Sequence, residues 1–139
     1  MNKSRLAAVL RLRSLAERKA RGQLAHAERE AALAAEMLDR RREAPPPAVP
    51  SEVLTPLQLR ALSLQGVRSH ELLQAAAAEA QRTQKTRDQA HDHWAHASKE
   101  HKSAERLDER RRSQIAEQAR VAAERALDEM VVLRRGWAQ

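Results

Sequence analysis

All five prolines of this 139-residue chain lie between positions 45 and 56. Proline lacks a backbone N–H and its ring clashes with the preceding helical turn, so a cluster of prolines cannot lie inside a helix. The sequences on both sides are rich in Ala, Leu, Glu, Arg, Lys and Gln, the strongest helix formers. The chain is therefore predicted to form two long helices joined by a proline-rich connection at residues 44–55.

The composition excludes a thick globular core. Leu, Ile and Val together account for 25 of the 139 residues, and two tryptophans are the only aromatic residues. Disorder would require a large net charge as well, whereas the net charge of +7 arises from 26 basic and 19 acidic residues that mostly alternate. We expect an all-α fold in which the whole chain, residues 1–139, forms one antiparallel coiled-coil hairpin.

Helix one is predicted to cover about residues 4–43, with Ser4 as its N-cap. Steps of three and four residues from Leu6 to Leu38 define a heptad seam of mostly small side chains, with two charged interruptions. The members of this seam are Leu6, Leu10, Arg13, Glu17, Ala20, Leu24, Ala27, Ala31, Ala34 and Leu38.

Helix two begins with a sharper signal, because Thr55 as N-cap, Pro56 at the first helical position and Gln58 at the third form a capping box. From there we expect a helix over about residues 56–135. Its strict heptad seam consists of Leu73, Ala76, Ala80, Thr83, Arg87, Ala90, Trp94, Ala97, His101 and Ala104.

The two helices differ in length, and two arrangements are open. Simple folding back leaves about forty residues of helix two projecting alone, unless that helix bends near Gly66 or in the polar stretch 81–91. Beyond the strict seam, the apolar positions continue from Leu107 only through a four-plus-four step at Arg111. Such a stutter would locally unwind the supercoil.

Both ends of the chain carry broad apolar surface. Near its start, helix one carries apolar side chains around much of its circumference, more than a single partner helix could cover, and residues 130–133 form a second broad patch on helix two. The helix-one residues are Leu6, Val9, Leu10, Leu12 and Leu15. Residues 1–21 carry seven basic side chains against one acidic side chain, so +6 of the net +7 lies there. We expect the two apolar patches to come together at one basic end of the hairpin.

The sequence carries no catalytic motif. It has no Gly-rich phosphate loop, no HExxH motif and no cysteine, and a two-helix hairpin offers no pocket in which a carboxylate pair could be desolvated. We therefore expect no enzyme activity, no cofactor and no small-molecule substrate. The absence of cysteine fits a reducing compartment, and no apolar run of about 18 residues that could span a membrane occurs.

Four histidines surround Trp94 in the segment 91–101. His93 and His96 are three positions apart on a helix and could hold a metal ion together with Asp92. The alternative is a polar helix face with Trp94 and His101 in the seam. Because nothing supplies an enclosed third and fourth ligand, we predict no metal site.

Two arginine runs, at residues 40–42 and 110–112, could grip phosphates, and a pI of about 10.9 makes weak nucleic-acid binding physically easy. Acidic neighbours flank each run, and no aromatic platform or DNA-reading module accompanies them. A solvent-exposed coiled-coil face with many ion pairs explains the two arginine runs at least as well. We expect no nucleic-acid partner.

The opening RLAAVLRLRSLAERKARGQLAHAEREA is a leucine-rich start that runs into a charged, Ala-rich helix. Later, Trp94 precedes the motifs Glu-Arg-Leu at 105–107 and Glu-Arg-Arg at 109–111, and an Asp-Glu pair at 128–129 closes a long charged segment. Both segments resemble the FliJ family, the coiled-coil proteins of the flagellar type III export apparatus. Length, proline-rich connection and basic character agree over nearly the whole chain.

The resemblance implies a partner for the basic, apolar end of the hairpin. FliJ-like proteins are similar to the central stalk of rotary ATPases and insert one end into the ring of the export ATPase. A ring pore could cover such an end on all sides. On this interpretation the residues that meet the ATPase are Leu6, Val9, Leu10, Leu12, Arg13, Met130, Val132, Leu133, Arg134 and Arg135, and the alternative is that the leucines only seal the end of the coiled coil.

The resemblance also implies a contact with the export gate, a membrane protein, through an exposed stripe after the connection. Leu59, Ser63, Gly66 and His70 fall at the family's spacings of four, three and four. His70 and Gly66 match the family pattern well, whereas Ser63 departs from it. The tyrosines that the family carries late in helix one are missing, since the chain has no Tyr.

The function that the resemblance implies is a non-enzymatic stalk and coupling component of flagellar protein export, which also escorts export substrates or their chaperones. Its expected location is the cytoplasm, peripheral to the inner membrane. The alternative is a basic coiled coil that binds nucleic acid or organises a cytoplasmic assembly.

Overall fold

The computed structural model describes the backbone of residues 3–137 and the side chains of residues 5–137. Helix α1 covers Lys3–Glu43 with 41 residues, and helix α2 covers Pro56–Trp137 with 82 residues. No strand occurs in this part of the chain. The fold is all-α, an antiparallel helical hairpin, as predicted; the side chain of the expected N-cap Ser4 lies outside the described residues.

The start of α2 has the geometry of a capping box. The backbone N–H of Thr55 donates to Oε1 of Gln58 at 2.9 Å, and the backbone N–H of Gln58 donates to Oγ1 of Thr55 at 3.3 Å. Two N–H groups that a helix start leaves without partners are thereby satisfied reciprocally. The sequence prediction for this helix start is confirmed.

Replacing Thr55 with alanine is expected to lower the free energy of unfolding by about 1 kcal/mol, because the capping hydroxyl of α2 is lost. Urea denaturation followed by circular dichroism measures the change. Thr86→Ala is the matched control, since the Thr86 hydroxyl bonds back to the carbonyl of Arg82 inside the helix and caps no helix end. Equal losses in the two variants would contradict the capping role.

The chain divides into two compact units, and each contains a piece of both helices. One unit comprises Met1–Glu17 and Ala97–Gln139, and the other comprises Arg18–His96. In the first unit Arg13 pairs with Glu100, and Leu6 lies at a cleft with Ile115. Because rising numbers on α1 meet falling numbers on α2, the two segments run antiparallel.

The second unit has the same antiparallel arrangement. Near the end of α1, Met37 and Arg41 line a groove together with Leu72 of α2. Further along, the hydrogen bond to Glu79 raises the pKa of Arg82, and the charge of Glu30 on α1 adds to this effect. Here, too, later residues of α1 lie beside earlier residues of α2.

The predicted heptad seam is the buried seam of the structure, since every predicted position of both helices is buried or half-buried. The most buried side chains are small: Ala20 is 0% exposed and Ala27 is 4% exposed, and Ala97 and Ala104 are 8% exposed on α2. Alanine has no side chain beyond Cβ, so the two helices can approach closely within each unit. The core is consequently thin.

The seam continues after Ala104 by the unbroken heptad rather than by a stutter. Asp108 and Arg111 are half-buried, whereas Leu107 is 58% exposed. Leu107 therefore lies outside the seam, and the four-plus-four step that would have included it does not occur there. Asp108 tolerates the seam position because its carboxylate pairs with Arg112 at 2.7 Å.

Candidate functional site

The start of α1 presents apolar side chains on two sides. Leu6 is only 5% exposed and packs in the seam, and Leu10 is half-buried. Val9 is 39% exposed and Leu12 is 66% exposed. Of the four apolar α1 residues predicted to meet the ATPase, Leu6 and Leu10 thus contribute mainly to the hairpin, while Val9 and Leu12 form open surface.

Leu15 belongs to the same open surface, although it was not among the predicted contact residues. It is 60% exposed and follows Leu12 by three positions, one helical turn. The signal was present in the sequence, because three apolar residues at spacings of three outside the seam have no partner within a two-helix hairpin. We name the surface of Val9, Leu12 and Leu15 the α1 patch.

The end of α2 exposes apolar side chains around its whole circumference. Met130 is 58% exposed, Val131 51%, Val132 69% and Leu133 62%. Arg134 and Arg135 follow in the last turn of α2, where positive charges interact favourably with the helix dipole. We name residues 130–135 the α2 tip.

The α1 patch and the α2 tip do not form one joint surface, so the expectation that they come together is wrong. Leu6 shares its cleft with Asp108 and Ile115, and Met130 follows Ile115 by fifteen residues, roughly 22 Å of helix. The alanine seam and the ion pairs set the pairing of the helices, and the apolar ends do not. Among the described residues, nothing packs over the α2 tip.

The two charged interruptions of the α1 seam are matched by polar groups on α2. Arg13 pairs with Glu100, and Nδ1 of His101 lies 2.7 Å from Oε2 of Glu17. The His101 and Glu17 side chains are only 20% and 15% exposed, so misaligned pairing would break a polar contact inside the seam. These contacts select one register of the two helices in this unit. Arg13, predicted to face the ATPase, is thus held by the hairpin, with 43% of its side chain exposed.

The stripe predicted to contact the export gate lies on α2. Leu59 is 60% exposed, and Ser63, Gly66 and His70 are also exposed. Steps of four, three and four residues place the four positions on one side of a helix. A Cβ atom at Gly66 would meet nothing within 4 Å, so the stripe has an open central position.

The histidine segment forms no enclosed site within the part of the chain that the structure describes. No group of three or more His, Cys, Asp or Glu side chains there is arranged to hold a metal ion. His91 instead stacks edge-on against Trp94, with ring centroids 5.9 Å apart. Trp94 and His101 both occupy seam positions, which is the alternative arrangement considered from the sequence.

The arginine runs take part in ion pairs along their own helices. Arg40 pairs with Glu36 at 2.5 Å and Arg112 pairs with Asp108 at 2.7 Å, both at a spacing of four residues. Such pairs lower the local positive charge that a phosphate backbone would meet.

A groove in the second unit was not predicted from the sequence. It has a volume of about 410 Å³ and is lined by apolar side chains that include Leu33 and Met37 of α1 and Leu72 of α2. At one end the hydrogen bond to Arg82 lowers the pKa of the Glu79 carboxyl. The sequence signal was apolar residues beside the seam, at positions that a narrow two-helix contact leaves uncovered.

Comparisons of the chain with protein-family models, curated proteins and solved structures return no match. Within the described residues, neither helix has a stretch that is long and apolar enough to cross a membrane.

Proposed function

We propose that this chain is a non-enzymatic stalk and coupling component of flagellar type III protein export. Its α1 patch and α2 tip contact the ring of the export ATPase, and the stripe Leu59, Ser63, Gly66 and His70 contacts the export gate. The observation that carries this proposal is the open apolar surface of the first unit, where Leu12 is 66% exposed and Val132 is 69% exposed. The resemblance to the FliJ family supplies the identity of the partners.

Apolar surface of this kind favours a partner that surrounds it. Burial of apolar area stabilises a complex by about 25 cal/mol per Å², and a continuous exposed patch on a thin helical structure marks an interaction site. A ring can contact Val9 and Leu15 from different directions, and it can enclose the α2 tip from all sides. A flat partner surface could cover only one side of the α1 patch or of the α2 tip.

The charges beside the apolar surface have a different role. Residues 1–21 carry six of the seven net positive charges, and Arg134 and Arg135 lie in the last turn of α2. Positive charge at the rim of an interface steers association and fixes orientation more than it adds affinity. An acidic ring entrance is the complementary surface.

Coupling in this proposal needs contacts at two separate places along α2. The α2 tip contacts the ATPase, while the exposed stripe near the start of α2 remains available to the gate. The chain itself performs no chemistry. It transmits the state of the ATPase, and its location is the cytoplasmic face of the inner membrane. Escort of export substrates or chaperones is compatible with the same free surfaces.

Site-specific photocrosslinking tests the proposal. The chain has no cysteine, so Leu12→Cys carries a single photoactivatable label on the α1 patch. Leu64→Cys is the matched control, because Leu64 is 64% exposed and Leu12 is 66% exposed. We expect the label at position 12 to form an adduct with the cognate export ATPase and the label at position 64 to form none. Equal adducts from both positions, or none from position 12, would reject the ring contact.

A further inference from the structure

The part of α2 that follows its contact with α1 carries an exposed apolar face. Its members are Ile115, Ala119, Ala122, Ala126, Met130 and Leu133. Their pattern repeats after eleven residues, a spacing of about 3.67 residues per turn that keeps them on one side of a straight helix. Steps of four, three and four residues connect Ala104 through Asp108 and Arg111 to Ile115, so this face directly continues the side of α2 that packs on α1.

From Ala119 to Trp137, small and large side chains occupy separate halves of this face. Its first half contains Ala119, Ala122 and Ala126, all exposed. Its second half contains Met130 and Leu133, which are 58% and 62% exposed. Trp137 follows four residues later on the same side and is 90% exposed. The face is therefore small at one end and large at the other.

We propose that this face pairs with the same face of a second copy of the chain, as an antiparallel helix pair with its two-fold axis between Leu127 and Asp128. In this register the small half of one copy lies against the large half of the other. Ala122 faces Leu133, Ala126 faces Met130, and Ala119 faces Trp137. A parallel pair would instead place alanine against alanine and leave a gap, which costs packing energy.

The charges beside the face favour the same arrangement. Arg125 and Glu129 flank it on one side, and the antiparallel register places Arg125 of each copy beside Glu129 of the other. The two-fold symmetry makes this ion pair twice. Neither residue forms an ion pair with another described residue, whereas Arg120, on the far side of the helix, already pairs with Glu117 and Glu124.

The pair overlaps over residues 119–137, roughly 28 Å of helix. The second copy's α2 would pack on the same side of α2 that packs on α1 earlier in the helix. The seam of this unit would thereby be extended. The inference stands on the residues of α2 and does not depend on the proposed export function. Because self-pairing covers Met130 and Leu133, it is incompatible with enclosure of the α2 tip by a ring from all sides.

Charge reversal with rescue tests the contact in the full chain. Sedimentation equilibrium of the wild type should show a monomer–dimer equilibrium. Arg125→Glu and Glu129→Arg should each raise the dimer dissociation constant by about tenfold or more, because like charges then meet twice. The double variant should restore it, and Arg120→Glu should leave it unchanged. Circular dichroism checks that helix content is retained in each variant.

Cysteine crosslinking tests the antiparallel register, since the chain has no cysteine of its own. Ala126 and Met130 face each other nearest the two-fold axis, so a mixture of Ala126→Cys and Met130→Cys chains should form a disulfide-linked dimer. Ala119→Cys alone should not, whereas a mixture of Ala119→Cys and Trp137→Cys chains should crosslink to each other. A wild type that stays monomeric at every concentration, a dimer that Arg125→Glu leaves intact, or self-crosslinking of Ala119→Cys would each overturn the proposal.

Discussion

Replacing Ala20 with leucine is expected to lower the free energy of unfolding by about 1–3 kcal/mol, because the larger side chain overpacks a seam built from small residues. Ala20 is 0% exposed, and the three added heavy atoms can enter only if the two helices separate locally. The separation would also loosen neighbouring contacts of the seam. Urea denaturation followed by circular dichroism measures the loss.

Ala16→Leu is the matched control for this prediction. Ala16 lies one helical turn earlier on α1 and is exposed, so the same chemical change there should alter stability by no more than about 0.5 kcal/mol. A stable Ala20→Leu variant with the unfolding curve of the wild type would contradict close packing of the helices at Ala20.

The heptad seam and the capping box were predictable because each depends on local spacing. Leu6, Ala20 and Ala104 share the period of one helix face, and that period alone identifies the side that becomes buried. Thr55 and Gln58 lie three residues apart, so their reciprocal hydrogen bonds need no knowledge of the tertiary structure. The proline-rich connection followed equally directly from the chemistry of proline.

The pairing of the two ends was not predictable in the same way. Similar apolar patches near Leu12 and Val132 suggested that the termini meet, but a register depends on the sum of many weak contacts along both helices. In the first unit, contacts such as the one between Glu17 and His101 determine the register. The similarity of the two apolar patches does not determine it. Leu107 is exposed for a related reason. The heptad spacing places Asp108 and Arg111 in the seam, although Leu107 is the more hydrophobic residue.

The candidate site was predictable only in part. Exposure of Val9 and Leu12 followed from their positions outside the seam, whereas burial of Leu6 shows that an apolar residue near an apolar end need not belong to the surface. An exposed apolar patch indicates that a partner binds there, but it does not indicate which protein that partner is. The export ATPase is inferred as the partner only from the resemblance to the FliJ family.

Replacing Val9 and Leu12 together with serine is expected to weaken binding to the export ATPase by about tenfold or more, since each fully buried side chain of this size contributes about 1.5–3 kcal/mol. Both residues are exposed in the chain, so helix content and stability should remain close to those of the wild type. The effect should appear mainly as faster dissociation, because the steering charges are unchanged.

Leu64 and Val67 provide the control pair, with the same two residue types at the same spacing of three. They are 64% and 54% exposed and lie on α2 in the other unit. Their replacement with serine should leave the binding to the ATPase at the wild-type level. Equal weakening by both pairs would mean that loss of exposed apolar surface in general, and not the α1 patch, explains the result.

The turnover of ATP by the cognate export ATPase, measured while the wild-type chain is titrated in, tests the stalk function most directly. We expect turnover and ring assembly to rise to a plateau, which the Val9 and Leu12 double variant should reach only at higher concentration. The response should persist at raised salt, because apolar burial contributes to the binding. Turnover and ring assembly that stay unchanged at saturating concentrations of the chain would contradict the stalk function.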